Sequence, residues 1–354
     1  MLRNVFAQSG GSGSNSGSGT IDFTKTGVQG QLTFETFGCD VFHVNPATPD
    51  RLTPDVTLFR ELVRDLDLVA PDGRKIRMWT FGDPKDPKAS NGTYPGPLIR
   101  VRETQVVHTV MSASKNTHTI HHHGIEPTTF NDGVGHLSFE VTGNYTYQWR
   151  PAEAGSFFYH CHKNTTLHFQ MGLHGPLIVD PIDGPGRLFT GGPAYDVEAV
   201  WAADSLDPRW HLMNHDAGLC GDDVGLNRFE PKYFLISGVF SNRTKDDPRV
   251  MVKARPRQRI LIRVGCAHYG PIRVTIGADA TVVGNDGRGL GDPERPWGRP
   301  FLQPAGQPFE LTTARRWDLI VTPQSPTTIP AKIEYLDWVT RAVRGVAETR
   351  IVVA

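Results

Sequence analysis

The chain has 354 residues and carries 37 Lys and Arg against 37 Asp and Glu, a formal net charge of zero. Such a balance argues against a nucleic-acid partner or a polybasic membrane contact, and no apolar run approaches the ~18 residues that span a bilayer. The length suits two domains, and 37 Gly and 27 Pro among many short apolar runs point to an all-β protein rich in turns.

Residues 9–19 (SGGSGSNSGSG) are a flexible Gly/Ser segment, so 1–20 are expected to be disordered and to carry no chemistry. The start, MLRNVFAQSGG, lacks the charged and long apolar regions of a secretory signal. QLTFETF (31–37) alternates like a strand. Thr53-Pro54-Asp55 ahead of VTLFRELVRDL predicts a short helix, with Thr53 as N-cap and Pro54 in the first turn. Strands are then expected at 65–70, 75–81, 97–101 and 105–111, with PDG (71–73) turning between the first two. PLIVDP (176–181) closes a first domain over 21–181, and DPIDGPGR is a linker. A second domain over 187–354 takes strands at 195–202, 258–265, 271–277, 280–287, 317–323, 332–338 and 348–354, which leaves no room for a third.

Residues 117–179 hold nine of the 14 histidines, together with Cys161. Tyr159-His160-Cys161-His162 follows a strand-like run, and successive strand side chains point to opposite faces. His160 and His162 then point one way and Cys161 the other. In His118-Thr119-Ile120-His121-His122-His123, His121 and His123 share a face and can meet His160 and His162 from a neighbouring strand. His118 can join Cys161 on the opposite side, with His168 as a second imidazole. Two His and one Cys form the trigonal ligand set of a blue-copper centre, whereas imidazoles alone suit copper, zinc, iron or nickel. Zinc competes, because Cys and His also build structural zinc sites. Against it, there is no C-x-x-C pairing, and alternation splits Cys161 from its flanking histidines. His122 and His136 read as ordinary polar residues and His174 as structural. His211 and His215 stand at i,i+4, on one face if helical; they read as a packing pair or as ligands lent to a neighbouring subunit. With Cys161 given to a metal, Cys39, Cys220 and Cys266 leave room for one disulfide that the sequence does not place. Asn164-Thr165-Thr166 is formally a glycosylation acceptor, where a glycan would crowd the ligand loop.

HTIHHHG (118–124) resembles the H-x-x-H-x-H-G motif of the multicopper oxidases and their relatives, the copper nitrite reductases. YHCHKNTTLHFQMGLHGPLIVDP (159–181) resembles their H-C-H…H…G-M motif, while YPGPLIRVRETQVV (94–107) and YTYQWRPAEAGSFFYHCH (145–162) resemble the strands leading to the ligands. The likeness is close over about 65–180 and weaker over 196–322. It implies two cupredoxin-like Greek-key β-sandwich domains with copper in the first. It assigns His118, Cys161 and His168 to type 1 copper, His121 to type 2, and His123, His160 and His162 to type 3. Asp132 becomes an acid that handles protons near the cluster. The activity implied is that of a laccase-like oxidoreductase, in which a small-molecule or metal-ion reductant feeds the type 1 copper and a second copper site reduces oxygen.

The chain departs from the family in three places. The axial Met falls on Leu173, with Met171 two positions early, which implies a raised reduction potential. Only two of the family's four H-x-H pairs are present in the first domain, and the later chain offers only His211, His215 and His268. Asp279 stands where a nitrite reductase has its second-domain histidine. The alternatives are therefore a nitrite-reductase-like enzyme or a non-enzymatic copper carrier, sensor or electron-transfer protein. The missing histidines imply a homo-oligomer, a trimer by analogy, and the mostly exported family implies a periplasmic or extracellular location.

Overall fold

The computed structural model describes residues 43–44, 52–135, 138–219 and 221–354. The Gly/Ser segment, the strand expected at 31–37, Cys39, His136 and Cys220 lie outside them. The all-β expectation holds. Among the described residues the first sandwich takes nine strands: β1 (His43–Val44), β2 (Val56–Val69), β3 (Lys75–Gly82), β4 (Ile99–Arg102), β5 (Val107–His118), β6 (His121–His123), β7 (Glu140–Trp149), β8 (Gly155–His160) and β9 (His174–Asp180). One sheet runs β1-β7-β5-β2-β3 and the other β4-β9-β8-β6. Between them lie Phe81, Ile99, Val107, Met111, Val141, Tyr147, Trp149, Tyr159 and Leu177. These residues recur at alternate strand positions, as a pleated sheet with one face inward requires.

The helix expected after Thr53-Pro54-Asp55 does not form; the segment is strand β2. Val56 to Glu61 pair in parallel with Val107 to Ser112, and the other edge pairs with β3 around a bulge between Val63 and Leu66. Ladder bonds on both sides outweigh a local capping signal in a run that begins Val-Thr-Leu-Phe. The Asp55 carboxylate accepts from the Val106 N–H instead (2.7 Å). The strand also buries Arg60, whose guanidinium donates to the Tyr159 hydroxyl (3.2 Å) and the Pro97 carbonyl (3.1 Å).

The second sandwich begins at β10 (Val197–Leu206). Its larger sheet runs 239–240, 233–236, 197–206, 260–266, 316–321, 280–285 and 288–289; the smaller runs 252–254, 343–353, 327–336, 272–276 and 309–311. Trp201, Ile262, Val264, Ile272, Leu319, Ile333 and Tyr335 fill its interior.

Every residue of β8 is buried, because its outer face meets the second sandwich. Ser156 donates to Asp318 (2.6 Å) and accepts from Arg263 (2.9 Å), and Arg316 donates to the Ser156 carbonyl (3.0 Å). Phe158 lies against Gly265, where a Cβ would fall 2.6 Å from its ring. The strand that leads into His160 is therefore fixed on both sides.

Candidate metal centre

β6 and β8 are antiparallel neighbours in the register His121↔His160, His122↔Tyr159, His123↔Phe158. Cross-strand partners share a face, so His121, His123 and His160 project together while His122 turns inward. One ligand nitrogen from each of those three lies within 4.8 Å of the others. His123 Nδ1 is 3.4 Å from His160 Nε2. His160 donates from Nδ1 to the Cys161 carbonyl (2.9 Å), which leaves Nε2 as the lone pair facing the group. Burial and the nearby Arg316 push His123 down to about 3, and burial holds His160 well below the ordinary imidazole value. Neutral rings with directed lone pairs are what a cation needs.

His162 stands beside this group rather than within it. Its ring centroid is 5.4 Å from that of His121 and 5.6 Å from that of His160, and its Nδ1 is 3.2 Å from Thr165 Oγ1. Asp132 ends the short helix Thr129–Asp132 and holds His121 twice. His121 Nδ1 donates to the Asp132 carbonyl (2.7 Å), and the carboxylate lies 3.3 Å from the same nitrogen. Gly133, at φ +72°, makes this approach feasible: a Cβ there would fall 2.0 Å from the Ile120 carbonyl oxygen and 3.0 Å from His121 N. Gly133→Ala is expected to shift His121, destabilise the fold by ~1–3 kcal/mol and lower metal content at the three-histidine group. Melting curves and metal analysis check this.

The second donor group lies on the opposite side of the same backbone. His118 ends β5, Cys161 directly follows β8, and His168 sits in the helix Thr165–Gln170. Cys161 Sγ is 3.6 Å from His118 Nδ1 and 3.4 Å from His168 Nδ1, and all three side chains are fully buried. The loop is tied down by Cys161 N–H to the Leu173 carbonyl (2.9 Å) and His162 N–H to Thr119 Oγ1 (2.8 Å). Burial pushes the Cys161 thiol up to about 11 and holds His168 well below its ordinary value. His168 donates from Nε2 to the His215 carbonyl (3.0 Å), so its Nδ1 lone pair faces the sulfur. One sulfur and two imidazoles in this arrangement form the trigonal donor set that suits copper.

Residues 77–183 match the multicopper oxidase family model. Laccase abr2 of Aspergillus fumigatus is 32% identical over 207 residues, 52% of this chain and 34% of that protein. L-ascorbate oxidase of Cucumis sativus is 32% identical over 163 residues, 42% and 25% of the two chains. The chain thus spans about a third or less of these relatives' length. Among solved structures, a blue copper oxidase from Nitrosomonas europaea superposes with a TM-score of 0.63 at 21% identity, covering 84% of this chain and 86% of that one. A copper nitrite reductase from the same organism gives 0.59 at 19%, covering 85% and 94%. At such identities the likeness speaks for the fold, which is cupredoxin-like.

Several histidines outside the two donor groups are used otherwise. His122 belongs to neither donor group: it is buried against Trp149 (ring centroids 4.5 Å apart), with Nε2 3.1 Å from Thr109 Oγ1. His174 stacks on Phe169 and lies 3.1 Å from Asp204. His211 and His215 do not share a helix face, since only Trp210–Leu212 form a turn of 3-10 helix. His211 donates to the Arg77 carbonyl (2.8 Å), and His268 sits between Ser205 and the Leu336 carbonyl. His211, His215 and His268 are buried within the single chain. Asp279 is exposed and caps the Ala305 N–H (2.8 Å).

Leu173 and Met171 are both buried beside the loop. Cys266 is a buried free thiol, which removes it from any disulfide. Asn164 spends its amide on the His215 and Ala217 carbonyls (3.3 and 2.9 Å), so a glycan there, which replaces one amide hydrogen, would break at least one of these bonds. Reading the sequence missed the ion pair of Lys163 with Glu140 (2.6 Å), buried directly behind the ligand loop, and the closeness of His215 to it. The only hint was the WHLMNH spacing.

Proposed function

We propose that the chain is a copper-dependent oxidoreductase of the laccase type, with residues 21–181 as the metal-holding domain and 187–354 as its partner. His118, Cys161 and His168 would hold a type 1 copper. His121, His123 and His160, with His162 alongside, would hold type 2 and type 3 copper. Copper at these places supplies one-electron transfer between a small-molecule or metal-ion reductant and oxygen.

The observation that carries this reading is that Cys161 is covalently flanked by His160 and His162 while its sulfur faces His118 and His168. The two donor groups are thus joined through a single peptide unit, with the His160 Nδ1–H···O=C bond to Cys161 (2.9 Å) as a second link. The chain's own residues set the rest. Burial excludes water from the sulfur group, and Asp132 presents a carboxylate to His121 Nδ1, where it can hold a proton. A homo-oligomer in which another copy completes the second group belongs to this reading, and copper per chain tests it.

His123→Ala is expected to cut oxygen consumption to below about a hundredth while the visible band of the sulfur site survives. Unchanged turnover would refute the reading. Nitric oxide formed from nitrite would favour the nitrite-reductase-like alternative, and one copper with no turnover would favour a carrier.

A further inference from the structure

Neither imidazole of the sulfur group faces solvent: His118 and His168 are fully buried, and the outer nitrogen of His168 is already committed to the His215 carbonyl. That carbonyl belongs to the segment that follows the 3-10 turn, on the second sandwich's side of the linker. The His215 ring lies 4.8 Å from the His118 ring and 4.5 Å from the His168 ring, centroid to centroid. It is pinned at both ends. Nε2 donates to the carbonyl of Thr117, the residue before His118 (3.0 Å), and Nδ1 lies 2.7 Å from Asp216 Oδ1. Asn164, three residues after Cys161, donates to the same His215 carbonyl. One residue therefore ties together the three pieces of chain that carry the ligands.

On its far side, His215 lines a groove of about 1390 Å³, together with Trp79, Met171, His211, Met213 and Asp216. The Trp79 ring is 5.4 Å from His168 and 5.9 Å from His215.

We propose that His215 is a positioning residue for the sulfur site and the face this site shows to the groove, so that a reductant lodged there meets His215 and Trp79 and not His168. The inference rests on the copper reading for its second half only. The positioning half concerns the chain's own hydrogen bonds and holds in metal-free protein.

Two variants and two measurements test it. In metal-free protein labelled with ¹⁵N-histidine, the His168 Nε2–H is expected to be visible and slow to exchange. His215→Ala should speed that exchange about tenfold or more, while His215→Gln, whose amide can still donate to the Thr117 carbonyl, should restore protection. In copper-loaded protein, His215→Ala should weaken copper retention at the sulfur site ~10–100-fold, the range for outer partners of metal ligands. It should also slow bleaching of the visible band by ferrocyanide about tenfold, with Gln again intermediate. Unchanged exchange in His215→Ala, or a Gln variant that melts normally yet behaves like Ala, overturns the positioning role. Unchanged bleaching overturns the groove-facing role. If the wild-type band survives Cys161→Ser, the copper reading itself has failed, and the exchange measurement still decides the positioning half.

Discussion

Cys161→Ser is expected to abolish the visible charge-transfer band, lower copper affinity at the sulfur site at least ~100-fold and remove oxidase activity, while leaving the metal-free fold intact. The side chain is fully enclosed, and its thiol is pushed up to about 11, so in metal-free protein the sulfur keeps its proton. A metal binds there by displacing that proton. A thiol yields it and gives a soft, polarisable donor; a serine hydroxyl is far weaker as an acid and gives a hard one. The surrounding restraints are bonds from backbone N–H groups, Cys161 N–H to the Leu173 carbonyl and His162 N–H to Thr119 Oγ1, and the substitution touches neither. Spectra and copper analysis of the loaded variant, with circular dichroism of the metal-free one, test this. A retained band would sink the assignment, and zinc would return as the competing metal.

Arg263→Met is expected to cost about 3–5 kcal/mol, the usual penalty for stripping the partner from buried charge. Arg263 is buried and donates to Glu198 (2.8 Å) and Ser156 (2.9 Å), with Asp318 at 3.5 Å; Glu198 also holds Arg100 (2.5 Å). Burial alone would raise the Glu198 carboxyl, but Arg263 and Arg100 outweigh it and hold it below the usual range. Asp318 is raised by burial in spite of Arg263.

The two carboxylates therefore pull the wild-type acid stability in opposite senses. Glu198 stabilises above its unfolded value of about 4.3 and loses that contribution as pH falls through its depressed folded value. Asp318 disfavours the fold as it ionises. Without Arg263, Asp318 loses the cation that opposes its upward shift and Glu198 keeps only Arg100 to hold it down, so the added cost of burying their charge is greatest at neutral pH and fades in acid. The deficit in denaturant midpoint should thus be smaller at pH 4 than at pH 7; a pH-independent deficit would contradict this account. Because Ser156 lies four residues before His160 on β8, copper content should fall as well.

Much of the site was legible because strand alternation is a strict rule. His121-His122-His123 divides into two faces, and the β6–β8 register puts His160 with His121 and His123 as alternation requires, while Cys161, just past the strand, turns to the other side. The helix expected over 56–66 failed because a local capping signal says nothing about ladders on either side. His215 was read as a packing residue or a lent ligand, since i,i+4 spacing cannot reveal that a turn folds it back over His118 and His168. The buried Lys163–Glu140 and Arg263–Asp318 pairs bridge distant parts of the chain and left no local pattern at all.

The β6–β8 pairing also gives the chain something like a reading frame for side chains. Adding or deleting one residue within 118–123 or 158–162 would put His122 where His121 and His123 now stand, or exchange Cys161 with a histidine, and both donor groups would be scrambled at once. Between 124 and 154 the chain runs through a short helix and the far sheet before it returns, so a change of length there leaves the frame unshifted. Tolerance to insertion should therefore be abrupt in its boundaries: absent inside the two histidine runs and ordinary a few residues outside them.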